Sequence, residues 1–319
     1  MRSSDPAISG RARRGAALVS SVIAAAALAH PSPALSYCRT SVCPETKQTA
    51  AVCTPAQPND CGIPLAWPSP CVSYSIQEDA STQVSLADTE AIFEEAFAAW
   101  TQADCGGGRT PRIELVYTGP VACDAHEYNQ TKGNANIITF RDDRWPYAGA
   151  GSTLALTTVT YNLKTGDIYD ADMEINSSDV DLSIGDSRPS FDLLSIATHE
   201  AGHFLGLSHS SDFDATMFAD YRPGSVALRD LDDDDRAGIC AVYPPGAPIK
   251  GCDPTPRHGF SGACAADQPD EEDGGCAAAP GGRGGAPGAG ILLAALASLG
   301  AAARARRAAA GRPGRERSR

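Results

Sequence analysis

The chain has 319 residues, enough for one large domain or two small ones, and carries 39 acidic against 26 basic side chains for a formal net charge of −13. That balance, with the basic residues gathered mostly at the two ends, argues against a nucleic-acid partner held by phosphate neutralisation. Eleven cysteines, none in a Cys-x-x-Cys pair, point to a disulfide framework in an oxidising compartment and not to thiolate metal sites.

Arg11, Arg13 and Arg14 precede an apolar run from Ala16 to Ala29 with small-residue cleavage options behind it, so residues 1–36 read as a secretory signal peptide. Cleavage falls after Ala29 or after Ser36, and the second choice opens the mature chain on Tyr37-Cys38. Residues 37–66 are rich in Cys and Pro and lack periodicity, which predicts a stapled, extended segment. The folded domain is expected over 67–245.

Within it, Val72–Ile76 alternates like a half-buried strand, and Ser85 can cap a helix whose apolar positions are Ile92, Phe93, Ala96, Phe97 and Trp100. Gly106 to Gly108 stop that helix. Arg112–Tyr117 and Asn136–Phe140 read as strands, and Thr153–Tyr161 turns at Lys164–Asp167 into a returning strand over Ile168–Asn176. A helix through His199 follows, then a last one from about Asp232 to Val242, stopped by Pro244-Pro245. This order predicts an α+β domain. Residues 246–286 read as a linker. Residues 287–303 are apolar and are followed by a basic tail, 304–319, with Arg304, Arg306 and Arg307 at its start; the arrangement resembles a stop-transfer anchor. A tail rich in Ala with no membrane role is the other reading.

Three of the six histidines fall between His199 and His209. On a helix, positions i and i+4 share a face, so His199 and His203 aim at one point with Glu200 beside them. Gly206, lacking a Cβ, suits the left-handed turn that would return His209 as a third ligand. Three neutral imidazoles leave a fourth zinc position for water, with Glu200 placed as general base for attack on a peptide carbonyl.

The run His199-Glu200-Ala201-Gly202-His203-Phe204-Leu205-Gly206-Leu207-Ser208-His209 matches the metzincin signature H-E-x-x-H-x-x-G-x-x-H, and the residues after it resemble the matrixin branch. The resemblance covers about Trp67 to Tyr243. It implies a metzincin catalytic domain with a twisted mixed sheet, an active-site helix and a C-terminal helix. It also implies one catalytic Zn2+ on His199, His203 and His209, with Met217 as the supporting Met-turn residue and Tyr221 on the specificity pocket. Ala219 departs from the family's usual Pro beside that pocket. Thr153–Thr158 resembles the edge strand along which an extended substrate pairs. Matrixins often hold Ca2+ near the place of Asp170, Asp172 and Glu174, but a solvated acidic strand edge is the favoured reading here. Only His126 is available in the domain for a second zinc, which is therefore not expected.

Pro58–Pro64 faintly resembles the segment that blocks zinc with a cysteine in matrixin propeptides, yet it lacks the Arg before Cys61, and a disulfide is the expected state. Cys276 with the tail behind it resembles C-terminal sorting tails of Gram-negative bacteria, especially myxobacteria. The remaining ten cysteines suffice for five disulfides, and Cys105 with Cys123 is the one pairing guessed. The expected function is a zinc-dependent endopeptidase acting on extracellular protein or peptide substrates. The chain would be secreted and held at the cell surface or outer membrane, otherwise extracellular. The competing reading is a catalytically inert, surface-displayed binding module on the same fold.

Overall fold

A computed structural model describes residues 37–42, 63–148, 152–187, 190–268 and 289–298. In chain order the elements are β1 (Cys38–Arg39), β2 (Cys71–Gln77), α1 (Leu86–Thr101), β3 (Glu114–Val121), β4 (Ile137–Phe140), β5 (Thr153–Asn162), β6 (Ile168–Ile175), β7 (Leu182–Ser183) and β8 (Phe191–Asp192). Then come α2 (Leu193–Phe204), β9 (Leu207–Ser208), β10 (Asp220–Tyr221), a 3-10 turn (Ala227–Arg229), α3 (Asp233–Val242) and β11 (Ala289–Ser298). The expected signal peptide and basic tail, with Cys43, Cys53, Cys61 and Cys276, lie outside the described residues.

The main sheet has the order β10-β11-β5-β6-β4-β2-β3. β3, β2, β4 and β6 run parallel to one another, and β5 turns back antiparallel on β6. Crossovers explain the parallel part: α1 carries the chain from β2 to β3, and long loops carry it onward. α1 lies over β2 and β3 while α2 lies over β5 and β6, side by side. Covered strands can be apolar throughout, and every residue of β2 and β6 is buried. The helices meet through Phe97 and Phe204, whose rings lie 5.2 Å apart, and through Trp100, whose indole N–H donates to the Thr198 carbonyl at 2.8 Å. Phe93, Phe97 and Trp100 are buried, each contributing roughly 1.5–3 kcal/mol of apolar transfer.

The helix starts follow local chemistry. Ser85 accepts from the Asp88 N–H to open α1, and Asp232 with Asp235 forms a capping box on α3. At the N-terminal side, β1 pairs with β9, the Thr40 N–H donates to the Gly206 carbonyl at 3.0 Å, and the Tyr37 N–H donates to Asp234 Oδ1 at 2.8 Å. Residues 37–42 thus brace the turn after α2.

Three expectations are corrected. Among the described residues Cys71 pairs with Cys252, Cys105 with Cys240 and Cys123 with Cys264, so Cys105 and Cys123 do not pair with each other. Residues 246–268, expected as linker, are fastened to the domain by two of these bridges. Their backbone also joins it: the Ala122 and Cys123 N–H groups donate to the Gly262 carbonyl, and Lys132 Nζ donates to the Ala265 and Gln268 carbonyls. Cross-links and backbone bonds hold a stretch too poor in apolar residues to declare itself folded. Finally, Asp170, Asp172 and Glu174 are not on a solvated edge. β6 is an interior strand and all three are buried. Asp172 accepts N–H bonds from Ile137 and Glu127. Burial alone would raise the Glu174 carboxyl, but His126, the Tyr147 hydroxyl and Arg141 together hold it below its ordinary range.

Ala289–Ser298, the apolar stretch expected to anchor the chain, forms β11, antiparallel to β5. Among the described residues no helix is long and apolar enough to cross a membrane.

Candidate metal centre

α2 is fixed at its start by Asp192, whose Oδ2 accepts the Ser195 N–H as a helix cap. Arg229 grips the same carboxylate with two bonds, 2.8 and 2.6 Å. The helix ends at Phe204, and Gly206 takes φ +94°, as expected from the need for a sharp turn; a Cβ there would stand 2.8 Å from the Leu65 carbonyl oxygen. The turn brings His209 back toward the helix.

His199, His203 and His209 are all buried, and one ring nitrogen from each lies within 4.8 Å of the others. His199 Nδ1 is 2.7 Å from the Thr216 carbonyl oxygen and His203 Nδ1 is 3.0 Å from that of Leu207. A carbonyl only accepts, so both Nδ1 atoms carry the proton and both Nε2 lone pairs face inward. His199 Nε2 is buried with no hydrogen-bond partner. His203 Nε2 and His209 Nε2 lie 3.2 Å apart, close to the roughly 3.3 Å between two nitrogens bound tetrahedrally to one zinc. Burial, then repulsion from the neighbouring imidazoles, pushes His199 well below its usual range and His203 down to about 3, so both are neutral donors at physiological pH. An orphaned lone pair among three convergent imidazoles fits a zinc ion. Two other ligand-like groups, around Cys71–Cys252 and Cys123–Cys264, have their thiols spent in disulfides.

Glu200 is fully buried, and its Oε2 accepts from the Thr157 hydroxyl of β5 at 2.5 Å. Met217 lies under the helix: a Cβ on Gly202 would stand 2.2 Å from Met217 Sδ and 2.8 Å from Trp100 Cζ2. Gly202 therefore makes the room that Met217 fills. The Met217 loop is held by Asp235, which accepts the Thr216, Met217 and Asp232 N–H groups at 2.6, 3.1 and 2.9 Å. Ser210 donates to Asp234 Oδ2 at 2.7 Å.

The model of the matrixin family matches residues 66–244, more than half of the chain. The chain is a matrixin. Membership brings zinc binding and metalloendopeptidase chemistry at the level of the family. Matrix metalloproteinase-C of Caenorhabditis elegans is 28% identical over 186 residues, 57% of this chain and 29% of the relative. Metalloendoproteinase 1-MMP of Arabidopsis thaliana is 28% identical over 188 residues, 58% and 46% of the two chains. Human neutrophil collagenase is 26% identical over 180 residues, 56% and 33%. The chain thus spans less than half the length of these curated relatives. The disulfides among the described residues accord with the extracellular setting of such matrixins.

Every residue expected at the matrixin centre falls in one place except Tyr221. That side chain is buried, accepts the Asp192 N–H at 2.9 Å and donates to the Ser225 carbonyl at 2.5 Å, so it ties β10 to the start of α2. Sequence reasoning missed Thr157, Asp234 and Asp235. Thr157 is one of four threonines within β5 with nothing local to single it out, and the two aspartates read only as a helix start.

Proposed function

We propose that this matrixin is a secreted zinc-dependent endopeptidase acting on extracellular proteins. The observation that carries the reading is the buried set of inward Nε2 atoms beside a fully buried Glu200. His199, His203 and His209 would hold the ion, which when bound supplies Lewis acidity toward water and a carbonyl oxygen. Glu200 takes the proton from the attacking water and returns it to the leaving amine, so protons balance over the hydrolysis. The Thr157 hydroxyl orients that carboxylate and holds one of its oxygens while the other works. Asp235 and Met217 keep the floor beneath the imidazoles from shifting.

Purified, metal-loaded protein should cut a denatured protein and lose this activity to a chelator. Glu200→Ala should lower kcat by roughly 10²–10⁴-fold while the protein still binds about one zinc per chain, read by elemental mass spectrometry. Wild-type protein that holds zinc yet cuts nothing rejects the proposal in favour of a binding module.

A further inference from the structure

β11 lies between β5 and β10, antiparallel to the first and parallel to the second. Among the described residues β10 has no other strand partner, and the far side of β5 belongs to β6. Without β11 the sheet would end on the open edge of β5, facing β10 across the width of one strand, about 10 Å. Such an edge presents a row of unpaired N–H and C=O groups that bind whatever extended chain enters. The gap borders the metal centre. Ala294 is in register with Thr157, the residue that holds Glu200; Ser298 is in register with Tyr221, which is tied to the start of α2. The β11 backbone also comes close to α2 itself.

An extended peptide about to be cut near Glu200 has the same two edges to pair with. We infer that the gap between β5 and β10 is a docking site for the chain's own residues 289–298, which stand where a substrate would lie and compete with it. The inference rests on the protease reading for the word substrate, while the docking itself rests on strand order and register.

The segment's chemistry suits this place. Ala289–Ser298 contains no charged residue and no proline, so it brings no like charge to a chain of net charge −13 and can pair along its whole length. Covalent reach is ample. The 20 residues from 269 to 288 extend to about 66–72 Å, against a width on the order of 45 Å for a domain of this size. A tethered strand competes at a local concentration on the order of millimolar, so modest intrinsic affinity is enough to fill the gap. The register shifts between Leu296 and Ala297, where β11 passes from pairing β5 alone to meeting β10.

The test uses the full metal-loaded chain with Ala294→Pro, which removes the N–H that faces Thr157 across the β5–β11 ladder, and Ala294→Lys as a second variant. Amide hydrogen exchange is read in the Glu200→Ala background, where no self-cleavage intrudes. We expect β5 exchange to quicken at least tenfold in both variants while β2 and β6 stay protected. With Glu200 intact, kcat/KM for a short fluorogenic peptide should rise about tenfold, through KM, and a synthetic peptide of residues 289–298 should inhibit the variants competitively. If β5 protection is the same with and without the substitutions, the docking inference is overturned, including the case where the segment partitions into phospholipid vesicles instead. If β5 loses protection but no form turns over peptide, docking stands and the protease reading falls.

Discussion

The metal-binding floor and the cleft edge are assembled from chain of very different reach. His199, Glu200, His203, His209 and Met217 all lie within one helix and the loops after it, whereas the edge joins β5, β10 and β11 from residues 153–162, 220–221 and 289–298. The floor is tied by buried carboxylates: Asp192 caps α2 and takes Arg229, and Asp235 takes three N–H groups. The edge reaches the floor through the Thr157 hydroxyl on Glu200 and the Tyr221 hydroxyl at the Asp192 N–H, and is held together by backbone pairing. A ligand set must hold its geometry to a fraction of an ångström, while a substrate edge must release one strand and accept another. Rigidity sits where the metal needs it.

If that contrast is right, the most damaging small change is in the floor. Gly202→Ala puts a methyl 2.2 Å from Met217 Sδ and 2.8 Å from Trp100 Cζ2, and the buried Trp100 is fastened to the Thr198 carbonyl. Met217 must leave its place. We expect a stability loss of about 3 kcal/mol in urea denaturation and a 10–100-fold fall in zinc affinity. A loss under about 1 kcal/mol would show that the floor repacks freely and would remove the distinction between the two regions.

Asp235→Ala should come next. It leaves the Thr216, Met217 and Asp232 N–H groups without their acceptor, for a cost of about 2 kcal/mol at pH 7. Burial raises the Asp235 carboxyl from 3.8 to about 6, so folding favours its protonated form. The stability linked to its titration is therefore full below about pH 4 and lost as pH rises through 6. The deficit of the variant should widen as pH falls from 7 toward 4; denaturation midpoints that run parallel across that range would contradict the assignment.

The same contrast explains what the sequence discloses. Helical spacing fixes His199 against His203, and Gly206 marks the turn, because those contacts are set by backbone geometry over a few residues. Ser85 and Asp232 are legible as caps for the same reason. Disulfide partners are not: Cys105 meets Cys240 and Cys123 meets Cys264, over 135 and 141 residues, and no local rule carries that distance. The acidic alternation of β6 looks like a wet edge until Arg141, His126, Tyr147 and the Ile137 and Glu127 N–H groups arrive from elsewhere in the chain. An apolar stretch before arginines reads as an anchor by hydropathy alone, and its pairing with β5 depends on an edge more than 120 residues away.

The smallest expected effect falls on the side-chain tie from the edge to Glu200. Thr157→Val keeps the shape and β-propensity of the strand residue but deletes the hydroxyl that donates to Glu200. Thr157 touches no reacting atom, so its role is positioning: kcat should fall about tenfold with KM little changed, and the metal content should stay the same. Thr157→Ser, which restores the hydroxyl without the methyl, should recover most of kcat. A valine variant that loses KM instead, or a serine variant no better than valine, would place Thr157 with the strand pairing of the edge and leave Glu200 oriented by α2 alone.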